Sequence, residues 1–356
     1  MLINDPNQVT PPWLTQVLGR KGLLLQGDVD AVEIVAPASR AGVSADVARL
    51  AIRYSADATG DLPTRLFLKM SRADVHAEVL AYGNTEVAFY NAMANVPEMF
   101  SIPRCYDAFV DPETGHSHIL MDDLSETHFQ KPFPIPPSGE HSVLLVESLA
   151  QLHAFWWDDP RLGNEIGRPF DPDIAHASRV RLEETFPKFI DLLGESLLPE
   201  QVKIYERILG SDVLQRRQRR YEQMDRVTLA HGDAHPANFM LPHDTDRDSV
   251  VIIDWQLSGV DIAAGDLAFM MAHRWPPQRR AALEKTLLQH YHDRLLAHGV
   301  GGYSWDDLWR DYREAVIVTA LIPIGQYRRD LNLGVIWMGI EHSMAAFEDL
   351  QCIELL

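Results

Sequence analysis

Three oxygen-bearing side chains, Asp233, Asn238 and Asp254, stand in two short segments near the C-terminal third of the chain: Leu229-Ala-His-Gly-Asp-Ala-His-Pro-Ala-Asn238 and Val250-Val-Ile-Ile-Asp-Trp255. The first reads as a strand or loop entering a polar turn. The second is a β-branched run that delivers an aspartate at its end. Transfer of a phosphoryl group from a nucleotide needs a carboxylate to take or orient the proton of the attacking hydroxyl. It also needs hard oxygen donors, an Asn and an Asp, for the divalent ions that neutralise the phosphates. An Asp, an Asn five residues on and a strand-borne Asp 21 residues after the first supply both functions.

The elements that must position these groups divide the chain in two. Residues 12–19, opened by Pro11 and Pro12, have the pattern of a short amphipathic helix. Strand-like runs follow at Ala31–Val35, Ala48–Tyr54 and Arg65–Met70, with a small-residue turn over Ala36–Ser44 between the first two. Val75–Met93 has helical spacing, and Cys105–Val110 and His116–Met121 form a strand pair around Asp-Pro-Glu-Thr-Gly. The proline-rich stretch Lys131–Gly139 is an irregular connection. From Val143 onward helical patterning dominates, with Leu145, Leu149, Leu152, His153 and Trp156 on one face. His153 reads as a packed, hydrogen-bonded helix residue. Trp156, Trp157, Trp275, Trp305 and Trp309 read as core residues in the first place. A β-rich part followed by a mostly helical part gives an α+β, two-lobed design.

Composition narrows the function. The 356 residues, 46% apolar and 23% charged, are those of an ordinary globular protein. A formal net charge of −19 argues against nucleic acid as a partner. The basic run Arg216–Arg220 reads as a solvated helix face. No run of 18 apolar residues is present, and Ala315–Ile324, interrupted by Pro323, reads as a buried helix, so no membrane partner is expected. The N-terminus lacks a basic, then apolar, leader pattern. Cys105 and Cys352 form no metal-ligand spacing, and a reduced, cytoplasmic location is expected.

His231-Gly-Asp-Ala-His-Pro-Ala-Asn238 with Ile253-Asp-Trp255 resembles the catalytic and metal-binding loops of the aminoglycoside phosphotransferase and choline kinase-like families, whose fold is the bilobal protein-kinase-like one. The Trp-Gln after Asp254 is most similar to the branch with ecdysteroid kinase-like proteins. The resemblance implies an ATP- and Mg2+-dependent kinase acting on a small-molecule alcohol, with Asp233 as catalytic base and Asn238 and Asp254 as magnesium ligands. It implies that His231 braces the loop, and that Asp261 and Asp266 lie in the segment leading into the next helix, where Asp266 holds the loop backbone and can cap that helix. It also implies a nucleotide-binding lobe over 1–122, with the hinge at its end, and a catalytic and substrate lobe over 123–356. In the first lobe Lys69 lies in an apolar strand, an expensive place for an ammonium without a partner. Glu86, followed by Phe89-Tyr90 as in the family's Glu-x-x-Phe-Tyr helix, is favoured over Glu78 as its counter-ion. Ser39, Gly42 and Ser44 belong to the phosphate-covering loop, which carries one glycine only. Met121 lines the back of the adenine pocket, and the backbone of Asp122 and Leu124 bonds the adenine edge.

Two other readings stay open. His231, Asp233, His235 and Asp254 have the residue types of a metal-dependent hydrolase, although that leaves Asn238, Lys69 and Glu86 without a task. A kinase-like binding module without activity is the second. The acceptor is not encoded in any spacing. The acidity of the chain and the tryptophans of the helical lobe favour an amine or a hydroxylated molecule with apolar surface over an anion.

Overall fold

In Arg65–Ser71 the apolar residues Leu66, Leu68 and Met70 alternate with Arg65, Phe67, Lys69 and Ser71, and an extended chain turns that alternation into two faces. The computed structural model describes residues 1–41, 45–94, 96, 101–167, 171–329 and 331–356, with backbone alone at 36–41 and 78. The chain forms two compact units: Met1–Phe129 with Met240–Ser258, and Gln130–Phe239 with Gly259–Leu356.

The first unit contains α1 (Pro11–Arg20), β1 (Leu24–Gln26), β2 (Val29–Ala41), β3 (Ala45–Tyr54), β4 (Thr59–Gly60), β5 (Arg65–Ser71), α2 (Ala77–Met93), β6 (Cys105–Val110) and β7 (Ser117–Asp122). Five strands make an antiparallel sheet in the order β2-β3-β5-β7-β6, with β1 and β4 as a separate ribbon. Leu50, Leu66, Leu68 and Leu120 join Leu14, Val17 and Leu18 of α1 in a core that excludes water almost completely. α1 starts where Thr10 accepts the Trp13 N–H and Pro11 presets the first turn. α2 lies against β6 and β7, closely enough that a Cβ on Gly83 would stand 2.7 Å from Ser117 Oγ. The later segment of this unit adds a small sheet of β8 (His128–Gln130), β10 (Phe239–Pro242) and β11 (Val251–Ile252), in the order β11-β10-β8. It ties back through the Ile252 N–H to the Ser101 carbonyl at 3.0 Å.

The second unit is helical: α3 (Gly139–Phe155), α4 (Pro172–Leu193), α5 (Pro199–Gly210), α6 (Val213–Gln223), α7 (Ala264–Ala268), α8 (Pro277–Ala297), α9 (Trp305–Thr319), α10 (Ile322–Arg328) and α11 (Leu333–Asp349). A short ribbon pairs β9 (Thr228–Ala230) with β12 (Gly259–Asp261). α3 packs on α8, and its face Leu145, Leu149, Leu152, His153 and Trp156 is buried. Among the described residues no helix is long and apolar enough to cross a membrane.

The expected strands and helices are present, with three differences. Ala315–Ile324 is not a single helix: α9 ends at Thr319 and α10 begins at Ile322, with Pro323 in its first turn. β2 continues to Ala41, so residues 36–41 are strand and not turn. Register shifts near Ala36 absorb the irregularity, and β2 is an edge strand, where the missing N–H of Pro37 costs least. The basic run of α6 is not simply a solvated face. Arg217 bonds Asp261 at 2.5 Å, Arg220 bonds Asp311 at 2.6 Å and Arg216 reaches Glu314 at 3.2 Å. The carboxylates that hold these arginines lie on β12 and α9, far off in sequence, so local charge pattern does not reveal them.

Candidate active site

On the first unit the site is built around Lys69. β5 is a central strand, with Val47 on one side and Ile119 on the other opposite Lys69, so the side chain has one fixed direction. Its Nζ donates to Glu86 Oε2 at 2.6 Å and to Asp254 Oδ1 at 2.6 Å. Glu86 is 1% exposed on α2. Burial alone lowers an ammonium pKa, yet the charges of Glu86 and Asp254 prevail and hold Lys69 above its ordinary value. For Glu86 burial dominates and raises the pKa, against the pull of Lys69 and the Trp255 N–H.

Asp254 is placed by its neighbours. Its backbone is left-handed (φ 67°, ψ 61°), a region in which Asp is one of the few tolerated non-glycine residues. The following Trp255 is fully buried and stacks on Phe89 of α2, with ring centroids 4.0 Å apart and planes at 8°. The helix that carries Glu86 therefore also fixes the turn that carries Asp254. Behind them Tyr90 directs its hydroxyl at Met121 Sδ, 3.9 Å away.

Further along β7, Met121 is buried between Phe67 and Cys105 in the sheet register. The Asp122 N–H bonds the Arg104 carbonyl and its carboxylate accepts from Tyr106, while the Leu124 carbonyl takes the N–H groups of Thr127 and His128. The Leu124 N–H bonds no backbone carbonyl among the described residues. Gly42 and Ser44 lie outside the described residues, as do the side chains of Ser39 and Glu78.

On the second unit the segment 231–238 is held from within. Asp266, 2% exposed, accepts the His231 N–H at 2.7 Å, the Gly232 N–H at 2.9 Å and His153 Nε2 at 3.1 Å. Burial opposes its charge, but the bond and charge of His153 together with His231 keep its pKa below the ordinary carboxylate value. Asp266 stands in the first turn of α7; it does not cap it. His153 passes the chain on to Tyr291 at 2.8 Å. Gly232 has φ 77°, where a side chain would be strained. His231 is fully buried and its Nδ1 accepts the Asp233 N–H at 3.2 Å. Asn238 closes the turn: its Nδ2 donates to the Asp233 carbonyl at 2.9 Å and contacts Asp233 Oδ2 at 3.4 Å. With the amide nitrogen committed to Asp233, the Asn238 oxygen is the donor offered to a cation.

The Asn238 amide oxygen in one unit and the Asp254 carboxylate in the other are each a hard donor of the kind magnesium takes. The hydrolase reading fares less well: the His231 ring points inward, and among the described residues no three His, Cys, Asp or Glu side chains converge as metal ligands. His235 Nε2 lies 3.6 Å from Asp233 Oδ2.

One charged residue near Asp233 left no trace in the sequence. Arg274 follows the π-helical turn Phe269–His273, and the Asp233 charge acts on it. Its guanidinium lies over the rings of Phe269 (4.7 Å) and Phe133 (5.6 Å). Only the folded chain brings these three residues together.

A family model for the ecdysteroid kinase-like family matches residues 47–299. Among solved structures, a microcompartment-associated aminopropanol kinase superposes with a TM-score of 0.55 at 13% identity, covering 95% of this chain and 95% of that one. A variant of an aminoglycoside 2′-phosphotransferase in its GDP complex gives 0.51 at 13% identity over 92% and 93% of the two chains. The ethanolamine kinase of Plasmodium vivax gives 0.50 at 14% identity, covering 90% of this chain and 84% of that one. At such identities the likeness is one of fold, the α+β bilobal protein-kinase-like fold. No curated protein matches the sequence.

Proposed function

From its membership of the ecdysteroid kinase-like family, we propose that the chain is a small-molecule kinase that moves the γ-phosphoryl group of ATP onto a hydroxyl. The observation that carries the reading is the Lys69 ammonium held between Glu86 and Asp254. A half-buried cation gripped by two carboxylates is a costly way to stabilise a strand, and an apolar residue would serve packing better. It is an economical way to keep an ammonium aimed at phosphate oxygens.

In this reading the acceptor oxygen bonds the γ-phosphorus, the bond from that phosphorus to the β,γ-bridging oxygen breaks, ADP leaves, and the hydroxyl proton passes to Asp233. Asn238 and Asp254 would hold magnesium, which would supply positive charge to neutralise the phosphates. Lys69 positions the phosphates, and Ser39, Gly42 and Ser44 belong to the phosphate-covering loop by resemblance. Met121 backs the adenine. The backbone of Asp122 and Leu124, the latter with an N–H that bonds no backbone carbonyl among the described residues, bonds the adenine edge. His231 and Asp266 keep Asp233 in place. The nucleotide-binding part runs over 1–122 with the hinge at its end, and the reaction belongs to the cytoplasm, where Cys105 and Cys352, both free, stay reduced.

The test is Asp233→Asn. Loss of the base is expected to lower kcat by about 10²–10⁴-fold with nucleotide binding retained. Undiminished turnover in a folded variant would remove Asp233 from the reaction.

A further inference from the structure

We propose that the acceptor carries an oxyanion, most simply a carboxylate, in addition to its hydroxyl, and that Arg274 receives it beside Asp233. The inference rests on the reading of Asp233 as the base and names the class of molecule that this base would serve.

Arg274 is firmly based. It stands between His273 and Trp275, both fully buried, and the Trp275 N–H bonds the Met271 carbonyl at 3.2 Å. Two aromatic faces, Phe269 and Phe133, cradle the guanidinium. Rings attract the cation but satisfy few of its five N–H groups. Nε is buried with no hydrogen-bond partner, and among the described residues Arg274 has no carboxylate within ion-pair distance. Most other half- or fully buried arginines of this unit have a carboxylate: Arg217 has Asp261, Arg220 has Asp311, and Arg280 has Glu284 and Asp349, while Arg279 donates to the Pro137 carbonyl. Asp233 acts on it only from beyond ion-pair distance, and a part-buried cation with no closer carboxylate among the described residues is expensive, which indicates that its partner arrives with a ligand. Burial pulls the pKa of Arg274 down and Asp233 pulls it up, so the two groups share one electrostatic neighbourhood.

The surroundings specify more than charge. Phe133 is 45% exposed and Ile135 58% exposed, on the irregular segment before α3. Phe133 also stands 6.5 Å, centroid to centroid, from His235, whose Nε2 neighbours Asp233. A carbon frame can lie on this apolar surface with its hydroxyl at Asp233 and its oxyanion at Arg274, where a carboxylate accepts two parallel N–H bonds. An amine at the same place would face the guanidinium as a like charge. The local cation thus outweighs the net charge of −19, which is spread over the whole surface.

Three acceptors on one frame test this: para-hydroxymethylbenzoate, para-hydroxymethylbenzylamine and para-methylbenzyl alcohol. Each is assayed for phosphorylated product with ATP and magnesium and for binding by calorimetry without nucleotide, using the wild type, Arg274→Gln and Arg274→Lys. The wild type is expected to prefer the benzoate, with kcat/KM about 100-fold above the amine. Arg274→Gln should lower kcat/KM for the benzoate by about 100-fold, mostly through KM, and abolish its preference over the neutral alcohol, while Arg274→Lys should restore part of it. Loss of folding alone would lower all three substrates together. If the amine or the neutral alcohol is the best acceptor of the wild type, the oxyanion inference fails and the kinase reading stands. If the benzoate binds in an Arg274-dependent way but is not phosphorylated, the inference stands and the kinase reading fails. If none of the three binds or reacts, the inference fails as well.

Discussion

The two oxygens of Asp266 accept from two backbone N–H groups of the 231–238 segment and from His153. Asp266→Asn turns one acceptor into a donor, so at least one of these N–H groups is left buried against another. Unfolding free energy is expected to fall by about 2–4 kcal/mol, the range for an unsatisfied buried donor in a charged network. Because the same atoms position Asp233, kcat should drop with little change in KM for ATP, as measured by steady-state kinetics beside a denaturation curve. An unaltered kcat would detach Asp266 from the catalytic loop. The contacts among Asp233, Asn238 and Asp266 were legible in part, because these residues lie within 34 positions of one another and groups that act on neighbours leave a spacing. The Lys69–Glu86 pairing was legible for a different reason, since a lone lysine in an apolar strand demands a counter-ion and the next helix offers glutamates. Arg274 left no such trace. Its partners Phe133 and Phe269 come from an irregular connection and a helix with no fixed offset.

At the level of elements, periodicity found the sheet and the helices, while contacts between elements decided what periodicity could not show. Phe89 on α2 enters the sequence reading as part of the Glu-x-x-Phe-Tyr pattern that marks Glu86, and the structure adds that it stacks on Trp255 and so couples the glutamate helix to the Asp254 turn. The arginines of α6 read as solvated because their carboxylates are remote in the chain. Gly339 in α11 is a similar case. A glycine inside a helix costs about 1 kcal/mol relative to alanine, so local propensity favours Gly339→Ala. Packing opposes it: an added Cβ would stand 2.6 Å from His273 Cε1 and 3.2 Å from its Nε2. His273 is fully buried and bonds Ser343 Oγ at 3.0 Å, so the ring has little freedom to retreat. Overpacking of this kind costs about 1–3 kcal/mol. Gly339→Ala is therefore expected to lower the urea midpoint with an unchanged slope, for a net loss of up to about 2 kcal/mol. A raised midpoint would mean that α11 or the ring yields.

For the molecule as a whole, the acidic composition says that stability depends on pH but not in which direction, because direction is set by environment. Burial, reinforced by Arg274 and His342, holds His273 well below the ordinary histidine value. His342 is lowered as well, by burial first and then by Arg274 and Arg280. Both rings are thus neutral in the folded chain at pH values where an unfolded chain begins to protonate them. Below about pH 6.5 the unfolded state binds protons that the folded state refuses, and stability falls at up to about 1.4 kcal/mol per pH unit for each ring. Above that pH both states are neutral and the contribution is constant. Glu86 acts in the opposite sense, since its raised pKa lets the folded state take up a proton first. A bare stability profile mixes these terms. The difference in unfolding free energy between the wild type and a His273→Gln, His342→Gln variant removes the carboxylates common to both. That difference should be flat from pH 7 to 8 and shift against the wild type as pH drops from 6.5 to 5.5. A difference that stays flat throughout would show that these histidines take up protons in the folded chain as readily as in the unfolded one.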